Sequence, residues 1–261
     1  MKRDRSEPPR ERTPLKNLVV WDFDWSLVNE NSDTYLIERL DSSSRRIMKM
    51  VDQRESSMGW TELMDAAVGE LHAEGRTPEA LKEALATIPI LDGAKAAVAA
   101  AAAVEAPTQQ RILSDANTVY IETILERRGF ASGTFAAVVT NAGAFDEATG
   151  RLHIRPHQPA GRSHGCKLCP PNLCKGKVLD AWLATEVAPE RIIYVGDGGG
   201  DYCPATRLRP EDVLLARRSP HDGLLRRCRR DPSAVRAQVV EWDEAADGES
   251  LRRGLVSALR S

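Results

Sequence analysis

Aromatic residues are scarce in this chain: Phe, Trp and Tyr make up 5% of its 261 residues. A core of that size therefore rests on Ala, Val, Leu and Ile, which a hydrophobic content of 42% can supply. Long apolar runs are also missing. No stretch approaches the roughly 18–20 residues of a bilayer span, and the Ala-rich run over residues 94–103 is short and interrupted by Lys95. Neither sign of charge dominates. A net charge of -2 speaks against a general nucleic-acid binder, which carries a strong basic balance. The local run Arg226-Arg227-Cys228-Arg229-Arg230 reads as a solvated helix face or loop. Five cysteines, three of them clustered at Cys166, Cys169 and Cys174, do not make a secreted disulfide framework. Residues 1–14 mix both charges with prolines and lack an apolar core segment, so they read as a disordered arm (1–15) and not as a signal peptide. The cytoplasm is the expected location, with no nucleic-acid partner and no membrane span.

What the chain does contain is a set of short apolar runs, each ending in polar chemistry. Leu18-Val19-Val20-Trp21 leads into Asp22-Phe23-Asp24-Trp25-Ser26. This reads as a buried strand whose C-terminal end carries two carboxylates spaced i, i+2, with a hydroxyl at i+4. A turn beginning at Phe23 lets one carboxylate act as nucleophile or metal ligand and sets the other beside it as an acid. Two carboxylates at one strand end are costly unless a cation neutralises them, which points to a hard divalent ion. Arg111-Ile112-Leu113 ends in Ser114-Asp115-Ala116-Asn117. Lys175-Gly176-Lys177 opens a helical segment. Arg191-Ile192-Ile193-Tyr194-Val195 runs into Gly196-Asp197-Gly198-Gly199-Gly200-Asp201.

Carboxylate, hydroxyl, lysine and distal acidic pair, in that order, resemble the four motifs of the haloacid-dehalogenase (HAD) superfamily of phosphohydrolases. The resemblance narrows to the PHOSPHO branch, which contains phosphoethanolamine/phosphocholine and pyridoxal phosphate phosphatases. It rests on Asp-Phe-Asp-x-Ser-Leu-Val-x-Glu-Asn-Ser-Asp (22–33), Leu-Ser-Asp-Ala-Asn (113–117), Cys-x-x-Cys-Pro-x-Asn-x-Cys-Lys-x-Lys-Val (166–178) and Tyr-Val-Gly-Asp-Gly-x-x-Asp-x-Cys-Pro (194–204), and it spans about residues 18–242. It implies Asp22 as a nucleophile that forms an aspartyl-phosphate. It implies Asp24 as general acid and then base, with its backbone carbonyl on the metal. Ser114 and Lys175 take the phosphoryl oxygens. Asp197 holds Mg²⁺ with Asp22, and Asp201 completes or supports the metal shell. The Gly-rich loop at Gly198 approaches the phosphate. Lys175 is preferred over Lys177 because it precedes a glycine at the helix start. The substrate that the resemblance implies is a small phosphorylated metabolite, phosphoethanolamine or phosphocholine first and pyridoxal phosphate second.

Apolar runs alternating with helical stretches predict an α/β fold, a HAD-like Rossmannoid, mostly parallel sheet. Residues 34–105 hold helical patterns at 34–40, 59–74 and 78–87 and no strand, and they read as an inserted helical cap (or as core helices) between core segments 16–33 and 106–261. Thr77-Pro78 marks a capped helix start. Residues 145–154 read as a turn and a returning strand.

Several residues admit two readings. Asp33 and Asp115, near Glu30 and Asn31, either face a substrate cation or cap the helices that follow them. Trp25 and Tyr202 either offer an aromatic face to a quaternary ammonium or merely pack. His164, Cys166, Cys169 and Cys174, with Cys203 as an alternative ligand, form a structural Zn²⁺ site, a labile disulfide or a cluster of packed thiols. Two departures stand out: Gly200 where the family usually has Asn, and Trp25 where relatives carry a smaller or acidic residue. They motivate a second class of reading, a non-catalytic HAD-like binding protein. Phosphotransfer to an acceptor other than water is a third.

Overall fold

The run Asn17–Trp21 becomes strand β1, with every residue buried. It is apolar throughout because both of its faces are covered. This computed structural model describes residues 14–40, 49, 52, 59–159, 162–185, 188–218 and 220–261. The predicted arm up to residue 13 and part of the predicted insert lie outside the described residues.

Around β1 assemble β2 (Thr108–Asn117), β3 (Ala137–Phe145), β4 (Leu152–Arg155), β5 (Arg191–Gly196), β6 (Val213–Arg217) and β7 (Gln238–Trp242). The seven-stranded sheet has the order β4-β3-β2-β1-β5-β6-β7, and only β4 runs antiparallel to its neighbour. The helices are α1 (Ser32–Leu40), α2 (Trp60–Ala73), α3 (Pro78–Leu85), α4 (Asp92–Ala103), α5 (Thr118–Arg127), α6 (Lys175–Thr185), α7 (Tyr202–Ala205), α8 (Gly223–Arg230) and α9 (Ala245–Arg260). Among the described residues no helix is long and apolar enough to cross a membrane.

Alternation along β1 divides the core. Val19 and Trp21 join one cluster with residues of α1–α5 and α9. Leu18 and Val20 join the other, with Leu179 of α6, Tyr202 of α7 and Leu224 of α8. Between residues 34 and 105 the helices α1 to α4 share the first of these clusters. Of these helices, α4 packs against β2 and α9. Thr77 caps α3 by accepting from the Ala80 amide, with Pro78 at the first helical position. The predicted turn and return appear as the β3–β4 hairpin.

Because β2 and β3 lie on one side of β1 and β5 to β7 on the other, the direction of winding reverses between β1 and β5. In open α/β sheets a crevice forms at such a point, beyond the carboxyl ends of the strands.

Candidate active site

Asp22 directly follows β1, Asp197 directly follows β5, and Ser114 and Asp115 lie near the end of β2. These are adjacent strands, so the crevice collects all four. The Asp22 amide donates to the Val195 carbonyl (2.9 Å), which carries the β1–β5 ladder one residue further and holds Asp22 against the Asp197 loop. The β2 register shifts between Leu113 and Asn117. Irregularities of this kind re-aim side chains next to active sites.

Lys175, the first residue of α6, is 3% exposed. Its Nζ donates to Asp22 Oδ1 (2.7 Å) and to Asp201 Oδ1 (2.8 Å). Lys177 is exposed. Asp201 Oδ1 also accepts from Tyr194 Oη (2.8 Å), while Oδ2 accepts from the amides of Asp197 (3.2 Å) and Gly198 (3.1 Å). A carboxylate offers about four lone-pair sites, and Asp201 has each one engaged. It therefore fixes the loop and the lysine, whereas Asp22 and Asp197 keep lone pairs for a cation. Gly198, in the loop expected to approach the phosphate, thus has its amide on Asp201. Ser26 Oγ donates to Asp197 Oδ1 at 3.4 Å.

One carboxylate oxygen from each of Asp22, Asp197 and Asp201 lies within 4.8 Å of the others, and all three residues are buried. A single ammonium faces three carboxylates. The excess negative charge and the all-oxygen donor set fit a hard divalent cation such as Mg²⁺. Burial, reinforced by Asp201, pushes the Asp22 pKa well above the usual carboxylate range, against the pull of Lys175. Burial and Asp22 do the same to Asp197. Burial disfavours the Lys175 charge, yet Asp201 and Asp22 hold its pKa well above the ordinary lysine value.

After Asp22 the chain leaves the strand in a tight turn over Phe23–Leu27, in which Trp25 adopts φ +56°. Left-handed backbone at a bulky residue costs about 1–3 kcal/mol and persists only where neighbours over-determine it. Here the Trp25 amide donates to the Glu30 carbonyl (3.1 Å) and its carbonyl accepts from Arg217 Nη1 (2.7 Å). Its indole stacks on His221 at 3.5 Å. Arg217, 0% exposed, also binds Asn29 Oδ1 and Glu244, both at 2.7 Å. The turn places Asp24 Oδ1 on the Ser32 amide (3.0 Å). Burial, then the charge of Asp33, raises the Asp24 pKa well above its usual range.

Asp33 is not a helix cap. Asn31 Oδ1 accepts from the Thr34 amide at the start of α1, and Asn117 caps α5 by accepting from Tyr120 (3.1 Å), which leaves Asp115 without that role too. Asp33 Oδ2 accepts from Trp60 Nε1 (2.7 Å), and burial pushes its pKa up to about 7. Asp115 adds negative potential at Asp22, Asp24 and Asp33. Trp60 also lines a cleft of about 580 Å³ between the start of α2 and the loop carrying His164 and Asn172. Ser114 is fully buried, and its Oγ accepts from the Ala116 amide (3.2 Å), which leaves the hydroxyl hydrogen uncommitted by that bond.

The cysteine group departs from the expected set. His164 has Nε2 on the Pro170 carbonyl (2.8 Å) and Nδ1 on the Cys166 amide (3.0 Å), so neither ring nitrogen is turned to the thiols. Cys203 takes its place beside Cys166, Cys169 and Cys174. All are unbridged, so the disulfide alternative is not the state of this structure.

Trp60 and Arg217 escape the sequence reading, and Tyr194 and Gly196 enter it only as motif positions without a role of their own. A Cβ on Gly196 would lie 2.7 Å from Asp201 Cγ, so the glycine is what admits that carboxylate. Tyr194 carries a faint signal, a hydroxyl in an otherwise aliphatic strand that needs a buried partner. Arg217 ends the apolar run of β6 as the aspartates end theirs. Trp60 has no signal, because it acts from the insert.

The profile of the family described as Putative Phosphatase matches residues 17–256. The chain is 36% identical to inorganic pyrophosphatase 2 of Arabidopsis thaliana over 94% of its own length and 85% of that protein's. It is 35% identical to pyridoxal phosphate phosphatase PHOSPHO2 of Rattus norvegicus (78% and 83%) and 33% identical to phosphoethanolamine/phosphocholine phosphatase of Homo sapiens (94% and 90%). Among solved structures, a HAD-family hydrolase of Salmonella enterica aligns with TM-score 0.58 at 13% identity, covering 93% of this chain and 72% of that one.

Proposed function

The chain belongs to the Putative Phosphatase family, within the HAD-fold phosphatases, and from that premise we propose that it is a Mg²⁺-dependent phosphomonoesterase acting through an aspartyl-phosphate on Asp22. The observation that carries this reading is the Lys175 ammonium held between Asp22 (2.7 Å) and Asp201 (2.8 Å), beside buried Asp197.

Asp22 attacks phosphorus in line; its oxygen–phosphorus bond forms as the bond to the leaving alcohol breaks. Asp24, whose pKa burial and then the charge of Asp33 raise, gives its proton to the leaving oxygen. It then takes a proton from the water that cleaves the aspartyl-phosphate and releases phosphate. Lys175 and Ser114 donate to the phosphoryl oxygens, where most of the catalytic effect in phosphoryl transfer resides. Asp22, Asp197 and the Asp24 carbonyl would hold Mg²⁺, which would offset the negative charge that otherwise keeps a carboxylate from a phosphate dianion. Asp201 and Tyr194 hold the lysine and the loop in register.

The favoured substrates are phosphoethanolamine and phosphocholine, whose cationic end suits Asp33 and Asp115. The alternative is pyridoxal 5′-phosphate or another small phosphorylated metabolite. It draws support from Asp33 itself: with a pKa of about 7 the acid is half protonated near neutrality and can donate a hydrogen bond instead of pairing with a cation.

The test is phosphate release from a panel of small phosphomonoesters and pyrophosphate, with Mg²⁺ or with chelator, for wild type and Asp22→Asn. Mg²⁺-dependent release concentrated on phosphoethanolamine and phosphocholine, and reduced at least about a thousandfold in Asp22→Asn, is the expected result. Preference for pyridoxal phosphate keeps the mechanism and overturns the substrate. No release by a folded wild type leaves the non-catalytic reading.

A further inference from the structure

The catalytic reading leaves one side-chain cluster unused. Cys166, Cys169, Cys174 and Cys203 each place a sulfur within 4.8 Å of the others. Cys203 Sγ lies 3.6 Å from Cys166 Sγ and 3.9 Å from Cys174 Sγ, although these residues are 37 and 29 positions away in sequence. A disulfide holds its sulfurs about 2.0 Å apart. Four sulfurs on a tetrahedral zinc ion, each about 2.3 Å from the metal, stand about 3.8 Å from one another. The two observed separations bracket the second value. We propose that these four cysteines form a structural Zn²⁺ site that ties the start of α6 to α7.

The surroundings fit a thiolate cage. The Leu168 amide points to Cys166 Sγ (3.4 Å), a donor of the kind that stabilises metal thiolates. A Cβ on Gly176 would lie 2.5 Å from Cys203 Sγ, so the helix start is pared back to admit that sulfur. His164 holds the loop by its contacts with Cys166 and Pro170. Four protein sulfurs close the coordination sphere, which is the mark of a structural site and not a catalytic one. On binding, each thiol releases its proton to solvent and the ion meets four thiolates.

Placement gives the site its use. Cys174 precedes Lys175, and Cys203 follows Asp201 by two residues. The ion would therefore staple together the two segments whose Lys175–Asp201 contact builds the catalytic centre. The metal itself does not depend on the proposed reaction, and its test reads metal content, not activity.

Full-length protein is purified under reducing conditions from zinc-supplemented culture, dialysed and assayed for metal by mass spectrometry. About one zinc per chain is expected, retained through a brief EDTA wash and released by an organomercurial. Cys166→Ser and Cys203→Ser lose it, and Cys228→Ser, a buried thiol outside the cluster, keeps it. Should the serine variants fail to fold, Co²⁺-exchanged wild type supplies the second readout: thiolate-to-cobalt charge-transfer bands and intense tetrahedral d–d bands that vanish on adding zinc. A folded wild type with neither zinc nor cobalt bands overturns the proposal. So does zinc that persists unchanged in the folded serine variants, and so does recovery of the cluster as disulfides.

Discussion

Asp33 links the fold to pH. It is 5% exposed, and burial raises its pKa from an ordinary value of about 3.9 to about 7. The folded state then holds this proton more tightly than the unfolded chain, so stability falls as pH rises from about 4 to about 7, by up to about 4 kcal/mol. Asp33→Asn keeps an acceptor for Trp60 and removes the titration. The variant is expected to gain thermal stability over wild type at about pH 8 and to show no gain at about pH 4, where wild-type Asp33 is largely protonated. Parallel melting curves across that range would show that the raised pKa is wrong. If Asp33 faces the substrate cation, the same variant raises KM for phosphocholine about tenfold, the ~1.4 kcal/mol expected of a charged contact. Two glycines give a contrast at the same scale. Gly196→Ala drives a methyl against Asp201, and a loss of about 1–3 kcal/mol in stability with most of the activity is expected. A Cβ at Gly200 meets only Lys175 Cε at 3.9 Å, so Gly200→Asn should fold normally and hydrolyse phosphoester within about threefold of wild type. Equal behaviour of the two variants in a melting and phosphate-release comparison would contradict the geometry.

Among the elements, α2 and β4 meet at a polar joint around Asp65. Asp65 accepts from Arg151 (2.9 Å) and from the Ile154 amide (2.7 Å). Burial raises its pKa, but these donors win and hold it below the usual range. Asp65→Ala leaves the Ile154 amide and the Arg151 guanidinium without this acceptor. A stability loss of about 1–3 kcal/mol is expected in urea denaturation, with hydrogen exchange faster in α2 and β4 than in β1. Uniform exchange would mean that the insert opens only with the whole fold. Trp60 starts α2, so loosening this helix also loosens the indole that holds Asp33.

At the centre of the molecule the buried carboxylates of Asp22, Asp197 and Asp201 surround the Lys175 ammonium. A cation that binds only the folded state stabilises it by mass action, about 2.7 kcal/mol at a concentration near 100 times Kd. Millimolar Mg²⁺ is therefore expected to raise Tm of the wild type, and Asp197→Asn to abolish most of that rise. A Tm indifferent to Mg²⁺ would refute the metal reading without reference to any substrate.

The apolar runs at β1, β2 and β5, each ending in acid or hydroxyl, announced both the sheet and its reactive edge, because a strand buried on both faces must be apolar and a chain leaving it must turn. Lys175 could be chosen over Lys177 for a similar local reason, its place at a helix start. What sequence alone left open was every relation across the fold. Whether Asp33 and Asp115 cap helices depended on Asn31 and Asn117 taking those places. That Asp201 accepts from Tyr194 and the amides of Asp197 and Gly198 depended on the loop after β5 folding back on its own strand. That Cys203 and not His164 completes the sulfur cluster depended on α7 meeting the start of α6. Local sequence dictates which residues stand at the end of a strand, since burial and turning act over a few residues. Only tertiary packing decides which of them share a hydrogen, because partners distant in sequence meet through the sheet.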